Sequence, residues 1–371
     1  MADDALNRTP LYDLHVARGA RIGPFAGYAM PIQYEGGIIR EHTQVRQQAG
    51  LFDVSHMGQA SVRSRDLAGA AAALERLMTA DLAALAEGRT KYSLLTNDRG
   101  GILDDLMITR RADGFFLVVN AANKAQDWAI LREGLAGAAE LVEHPDRALL
   151  ALQGPAAAAV LSRLAPAVAD MKFMSLAEVE LAGAACLVTR SGYTGEDGYE
   201  ISVPADRAVE LVEALLATGE VELAGLGARD SLRLEAGLCL HGSDIDATTT
   251  PVEADLAWAL SRRRKAEGGF PGAAVVQAQL ADGPPRRRVG LKPEGRAPAR
   301  AHTEIRLPGG EAIGEITSGG FGPTVGGPIA MGYVAAAHAA PGTVVELVVR
   351  GKPLPATIVP LPFVPHRYFK G

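Results

Sequence analysis

Two adjacent carboxylates sit inside an apolar run directly after a glycine turn, in Asn97-Asp98-Arg99-Gly100-Gly101-Ile102-Leu103-Asp104-Asp105-Leu106-Met107-Ile108. The run from Ile102 has strand character, and side chains alternate faces along a strand, so Asp104 and Asp105 point in opposite directions. At most one of them can meet solvent while the other enters a core or a cavity. An ionised carboxylate in apolar surroundings is costly without a charged or hydrogen-bonding partner, which makes the inward Asp a functional-site candidate. The competing reading is an edge strand with a satisfied, water-exposed pair, because structural ion pairs also perturb carboxylates.

The flanking patterns organise the chain. Apolar spacing from Gly36 to Gly50 predicts an amphipathic helix ending at glycine. A short strand at Gln59 to Val62 follows, then an Ala- and Leu-rich helix from about Asp66 to Met78 with Ser64 or Asp66 as its cap. Tyr92 to Thr96 and Ile102 to Thr109 form a hairpin across the glycine turn, and strand Phe115 to Asn120 precedes a helix from Asn123. A second block repeats the theme with strands at Ala148 to Leu152, Glu178 to Leu181, Cys186 to Arg190 and Tyr199 to Val203. Its helices run from Pro155 to Leu164 and from Ala205 to Leu216. No run of regular parallel βαβ units appears, so the expected class is α+β with largely antiparallel sheets. Gly225-Leu226-Gly227 lacks the third glycine of a dinucleotide fingerprint, and Gly319 to Gly327 lacks the Lys-Ser/Thr of a phosphate loop. Beyond Asp282 to Arg288, short strands with Gly/Pro punctuation from Val289 to Val359 predict a small β-barrel or sandwich.

A net charge of −6 over 371 residues argues against broad nucleic-acid binding. Two local clusters, Arg262-Arg263-Arg264-Lys265 and Arg286-Arg287-Arg288, read either as solvated loop faces or as docking surfaces for an anionic partner. Cys186 and Cys239 have no metal-site or disulfide spacing, so no metal is expected and the chain reads as intracellular. The start Met1-Ala2-Asp3-Asp4 has neither signal- nor transit-peptide character, and no apolar run has membrane-spanning length.

Three further segments concentrate unusual chemistry: Asp53-Val54-Ser55-His56-Met57, Gly192-Tyr193-Thr194-Gly195-Glu196-Asp197-Gly198-Tyr199-Glu200 and Ala228-Arg229-Asp230-Ser231-Leu232-Arg233-Leu234-Glu235-Ala236-Gly237. With the Gly-Gly-x-x-Asp-Asp turn they resemble, in order and spacing, the T-protein (aminomethyltransferase) family of the glycine cleavage system. The resemblance runs from Thr9-Pro10-Leu11-Tyr12 to Pro362-Phe363-Val364-Pro365. It implies a three-domain cloverleaf around a central folate channel. Residues 1–281 would form the folate-binding region, two α+β domains with the smaller inserted at about 54–145, and residues 286–371 the C-terminal barrel.

The implied reaction moves a one-carbon unit from an aminomethyl group on the lipoyl arm of the H-protein to tetrahydrofolate, releasing ammonia and leaving methylenetetrahydrofolate. The implied wider partners are the glycine decarboxylase (P-protein) and dihydrolipoyl dehydrogenase, with no nucleic acid and no membrane. Asp105 matches the family's catalytic position, where a carboxylate lowers the barrier as positive charge develops on the transferred fragment. Asp104 is expected on the other side of the strand as a structural partner. Glu200 matches the pterin-binding carboxylate, suited to accepting two parallel hydrogen bonds, and Tyr193 and Tyr92 match ring-contacting positions. Arg229 is implied in the folate site. Met57, Leu103, Val119 and Asn120 would line the channel. Trp258, Arg288 and Tyr368 match positions near the folate or the channel, although an isolated Trp258 also reads as core packing. His56 reads as structural, because no orienting acid has a recognisable place beside Ser55-His56.

The chain departs from the family pattern at Gly27-Tyr28, where Gly-Trp is common, and at Gly322-Pro323-Thr324, where Ser-Pro-Thr is frequent. The expected location is a bacterial cytoplasm. A folate-dependent demethylase of another methylated donor and a non-enzymatic folate-binding assembly factor stand as alternatives. The Asp105 motif argues against the second.

Overall fold

The glycine turn forms as the spacing requires. Gly100 takes φ +77°, and a Cβ on Gly101 would lie 1.9 Å from the Ala247 carbonyl oxygen, so a side chain is excluded there. Asn97 closes the turn by accepting from the N–H groups of Arg99 and Gly101 at 2.9 and 3.0 Å. The structure, a computed structural model, describes residues 6–371. The opening Met1-Ala2-Asp3-Asp4, which carries the expectation about a leader, lies outside them.

The turn joins Thr90–Thr96 to Ile102–Arg111 inside a five-stranded antiparallel sheet. The order continues through Gly114–Val119 and Gly58–Arg63 to Glu140–Glu143. Leu95 pairs with Asp104 and Leu94 with Asp105, so the pleat sends the two carboxylates into different layers. On the Asp104 side, helices Leu67–Glu75 and Lys124–Gly134 bury Leu74, Trp128 and Leu131 against Leu95, Leu117 and Val119. On the Asp105 side lies a separate cluster of Leu94, Cys239, Ile245 and Leu256, with Tyr92 packed on it. Asp66 caps its helix by accepting from the Gly69 N–H at 2.9 Å, whereas Ser64 donates to the Ala138 carbonyl.

The second sheet has six strands, in the order Leu176–Leu181, Ala184–Thr189, Gly198–Pro204, Arg147–Gln153, Ala49–Asp53 and Val221–Leu223. Only the last pairing is parallel. Helices Ala157–Leu164 and Ala208–Leu216 bury Val160, Leu161, Leu211 and Leu215 on it. The C-terminal strands, Arg286–Pro293 to Lys352–Val359, close into a six-stranded barrel, so the α+β class holds and the barrel-or-sandwich alternative resolves to a barrel. Helix Leu226–Glu235 packs on both Gly37–Gln47 and the barrel strand Ala312–Gly322, and so ties the barrel to the rest.

One element has no counterpart in the sequence pattern. Arg21–Phe25 and Tyr28–Gln33 form a two-stranded hairpin whose Pro24 and Pro31 break the alternation that marks a strand. The hairpin stands apart from the larger sheets, where proline costs no ladder bond.

The arginine cluster is a fastener for the most part. Arg264 is buried, donates to the carbonyls of Glu75 and Met78, and lies over the Phe270 ring. Arg263 pairs with Asp81 at 2.7 Å and Glu75 at 2.6 Å. Asp81 is pulled down to about 2, first by its hydrogen bond from Arg263. Of the four basic residues, only Arg262 is fully exposed. The docking reading of this cluster therefore loses its two central arginines to internal bonds.

Candidate active site

Asp105 lies diagonal to Tyr92 on one face of the hairpin, and the Tyr92 hydroxyl donates to Asp105 Oδ2 at 3.0 Å. Asn120, at the end of the neighbouring strand, donates from Nδ2 to Asp105 Oδ1 at 2.7 Å. The same amide donates to Asp104 Oδ1 at 2.9 Å, and the Asn120 N–H to Asp104 Oδ2 at 3.1 Å. Asn123 adds a bond to Asp104 Oδ1 at 2.6 Å. Asp104 is thus completely buried and held by three amide N–H bonds, whereas Asp105 is half-buried and accepts one bond on each oxygen.

This division corrects the energetic argument from sequence. Burial alone selects Asp104 as the inward acid, yet its three amide donors tie it into the strand and helix start, and the less buried Asp105 is the carboxylate left more accessible. Burial first, then the charge on Asp104, pushes Asp105 up to about 6, against the opposing effects of His241, Tyr92 and Asn120. Tyr92 is itself raised well above the phenol range, chiefly by burial.

Around this centre stand several of the other expected residues. Trp258 stacks on Tyr92 with ring centroids 5.4 Å apart and planes 20° from parallel. Its indole is 64% exposed, so the core-packing reading of Trp258 does not hold. Tyr193 donates its hydroxyl to the Cys239 carbonyl, and the Arg229 guanidinium carbon lies 4.9 Å over the Tyr193 ring. Arg229 Nη1 is buried with no hydrogen-bond partner, and burial lowers its proton affinity despite the nearby Glu200 charge. Such an orphaned guanidinium N–H fits an acidic or carbonyl group from outside the chain. Glu200, on Gly198–Pro204, accepts from Ser191 at 3.0 Å through Oε2 and keeps Oε1 free. Met57 packs beside Phe116 and Val118, on the Asp105 side of the sheet.

Four expected residues fall elsewhere, the first being Leu103, which packs against the helix-covered core. Val119 turns its side chain away from Asp105 into the helix-covered core beside Trp128, so only its backbone can border a channel. Arg288 donates to the carbonyls of Ala254 and Gly237, each at 2.8 Å, and joins the barrel to the loops around Cys239. Tyr368 lies flat on Phe173, centroids 4.1 Å apart, near Arg46 and Glu196. Arg233 is consumed by Asp244 at 2.6 Å and Asp230 at 2.8 Å, the ion-pair role open to it from sequence.

His56 is buried against Phe25, and burial lowers it to about 4. Ser55 donates to the Leu149 carbonyl and Asp53 engages His15 at 2.9 Å, so no Ser-His-Asp relay exists here. Asn123, Asp127 and His241 belong to the site and were not singled out by sequence. The i, i+4 spacing of Asn123 and Asp127 at a helix start, with Asn120 just before it, is the signal that points to them.

Comparison with known proteins gives concordant matches. The family models described as GCVT N-terminal domain and Glycine cleavage T-protein C-terminal barrel domain match residues 11–264 and 286–365. The chain is 48% identical to "Aminomethyltransferase, mitochondrial" of Mesembryanthemum crystallinum, over 99% of this chain and 91% of that protein. It is 44% identical to the protein of the same description from Dictyostelium discoideum, over 100% and 95%. The crystal structure of glycine cleavage system aminomethyltransferase T from Bartonella henselae superposes with TM-score 0.94 at 46% identity, covering 99% of this chain and 100% of that one. The expectation of a bacterial cytoplasm is overturned by the curated relatives, which are named as mitochondrial proteins.

Proposed function

The chain belongs to the glycine cleavage T-protein family, and from that premise we propose that its one-carbon transfer takes place at Asp105, with tetrahydrofolate as acceptor and an aminomethyl-loaded lipoyl H-protein as donor. The protein is an aminomethyltransferase of the glycine cleavage system. Enzymes of this family use tetrahydrofolate as a substrate. The observation that carries the assignment to Asp105 is its setting: a half-buried carboxylate held by Tyr92 and Asn120, next to a second, fully buried carboxylate bound by three amide N–H groups.

Bond accounting for the transfer is redox-neutral. The carbon's bonds to the amine nitrogen and the lipoyl sulfur break, and bonds to N5 and N10 of the folate form. The two folate N–H protons leave on ammonia and on the thiol. Positive charge gathers on the one-carbon fragment as its first bond breaks, and the Asp105 carboxylate, held by Tyr92 and Asn120, is the preorganised negative charge we assign to stabilise it. Tyr92 and Asn120 fix the direction of that charge, since both of its oxygens are hydrogen-bonded from known sides. Glu200 Oε1 supplies an acceptor suited to the pterin edge, the faces of Tyr193 and Trp258 border the space between, and the unpartnered Arg229 N–H offers a donor. Arg288 and Tyr368 act through the placement of loops and tail. Glycine decarboxylase and dihydrolipoyl dehydrogenase enter this reading only as the enzymes that load and reoxidise the lipoyl arm.

Ammonia release from aminomethyl-loaded lipoyl H-protein, followed with and without tetrahydrofolate, tests the proposal. Strong stimulation by folate is the expected result. Folate binding without release would refute the donor assignment and favour another methylated donor.

A further inference from the structure

Behind Asp104 lies a third carboxyl that neither the motif nor the reaction uses. Asp127 sits one turn into Lys124–Gly134, is completely buried, and among the described residues neither of its oxygens receives a hydrogen bond from an N–H or hydroxyl. An ionised carboxylate in that position would be a buried charge with no donors, at a cost of several kcal/mol. A neutral carboxylic acid is itself a donor, and the acceptor beside it is Asp104, whose Oδ1 is taken by Asn120 and Asn123 while Oδ2 holds only the Asn120 N–H.

We infer that Asp127 is a positioning residue for the transfer: held as the neutral acid, it donates its O–H to Asp104 and keeps Asp104 as the charged neighbour that Asp105 feels. The proton stays on Asp127 throughout, so no further reactant is needed. The inference rests on the assignment of the chemistry to Asp105.

The surrounding charges agree with it. Burial, then the neighbouring Asp104, pushes Asp127 up to about 10, with a smaller contribution from Asp105. His241 lies beyond Asn123, its Nδ1 accepting from Asn123 Nδ2 at 2.9 Å and standing 4.0 Å from Asp104 Oδ1. Lys124, on the same helix, turns its Nζ away to the Tyr28 hydroxyl at 2.6 Å, so its ammonium does not neutralise the pair. Three carboxyls, one buried proton and no adjacent cation leave Asp105 with its raised proton affinity. Two acids that share a site cannot both ionise freely.

Infrared difference spectroscopy decides the protonation state. At neutral pH the intact enzyme is expected to show a carbonyl band from a protonated carboxyl that Asp127→Asn abolishes and Asp105→Asn leaves in place. Absence of that band from the wild type, or its survival in Asp127→Asn, would overturn the inference. The kinetic arm uses the acid limb of turnover. Asp127→Leu removes the donor, so the Asp104 charge stands less screened beside Asp105 and the limb moves to higher pH by about one unit. Asp127→Asn keeps an N–H donor toward Asp104 and holds the limb near its original position. A folded Asp127→Leu enzyme with an unmoved limb would reduce Asp127 to packing. A fully active Asp105→Asn enzyme would instead remove the catalytic premise while the infrared result stood, so the two failures are separable.

Discussion

Asp105→Asn is expected to lower turnover by about 10²–10³-fold, the loss of about 3–4 kcal/mol of transition-state stabilisation that follows removal of one preorganised electrostatic group. The substitution is nearly isosteric, and an amide still accepts from Tyr92 through its oxygen, so folding and folate binding should persist. Its effect on stability has a definite sign. Asp105 is raised from 3.8 to about 6, so the native state binds more protons than the unfolded chain between those values. Stability therefore falls as pH rises through that window, and the neutral amide removes the cost. The variant should melt no lower than wild type at neutral pH. Wild-type turnover should fall as pH drops below about 6, where the carboxylate takes its proton. Steady-state methylenetetrahydrofolate formation across pH, paired with thermal melts, measures both; a variant that turns over like wild type would refute the role.

The largest stability effect belongs to a different place, where the region of the six-stranded sheet and the barrel meet on one carboxylate. Glu235 Oε2 accepts from Arg46 Nη2 at 3.0 Å and lies 3.1 Å from His42 Nε2, while Oε1 accepts from the Thr324 N–H at 2.7 Å. Arg46 also holds Glu196 at 2.9 Å and the Thr194 carbonyl at 2.8 Å. Glu235→Ala leaves Arg46 Nη2 and the Thr324 N–H without their acceptor, while Arg46 keeps Glu196, and should cost about 2–3 kcal/mol. Burial opposes ionisation here, yet the hydrogen bonds from His42 and Thr324 outweigh it and hold Glu235 down to about 2. A depressed carboxylate contributes its stability above its unfolded value near 4.5, and that contribution is lost as pH falls toward 2. Urea midpoints for wild type and Glu235→Ala should thus differ widely at pH 7 and draw together as pH falls to about 2. A constant gap across that range would show that packing, not charge, is at stake. Gly322 sits in the same place. A Cβ there would lie 3.1 Å from Glu235 Oε1. The departure from Ser-Pro-Thr therefore leaves Thr324 free to approach Glu235 closely.

Local chemistry made much of this legible in the sequence. The Asn97–Gly101 turn, the alternation along Ile102–Arg111, the cap at Asp66 and the punctuated barrel strands are each set by a few neighbouring residues, and all appear. What stayed hidden depends on partners distant in sequence. Asp104 and Asp105 differ only in which layer covers them, and that layer includes helix Lys124–Gly134 on one side and residues near 240–256 on the other. Arg263 and Arg264 look like solvated charge until the loop at 75–81 is brought beneath them. Val119 and Asn120 are neighbours in the chain with opposite orientations, so a resemblance that carries both to a channel is silent about the pleat that parts them.

The stacked indole at the mouth has a practical consequence. The chain has two tryptophans, and they differ in kind: Trp128 is 5% exposed in a helix-covered core, whereas Trp258 is 64% exposed on the ring of Tyr92. Their emission therefore separates by colour, blue from the dry site and red from the wet one. A molecule that covers Tyr92 must alter the red component and leave the blue unchanged, while loss of the core does the reverse. The native protein thus carries its own optical record of occupancy and of integrity, in two bands that need no label.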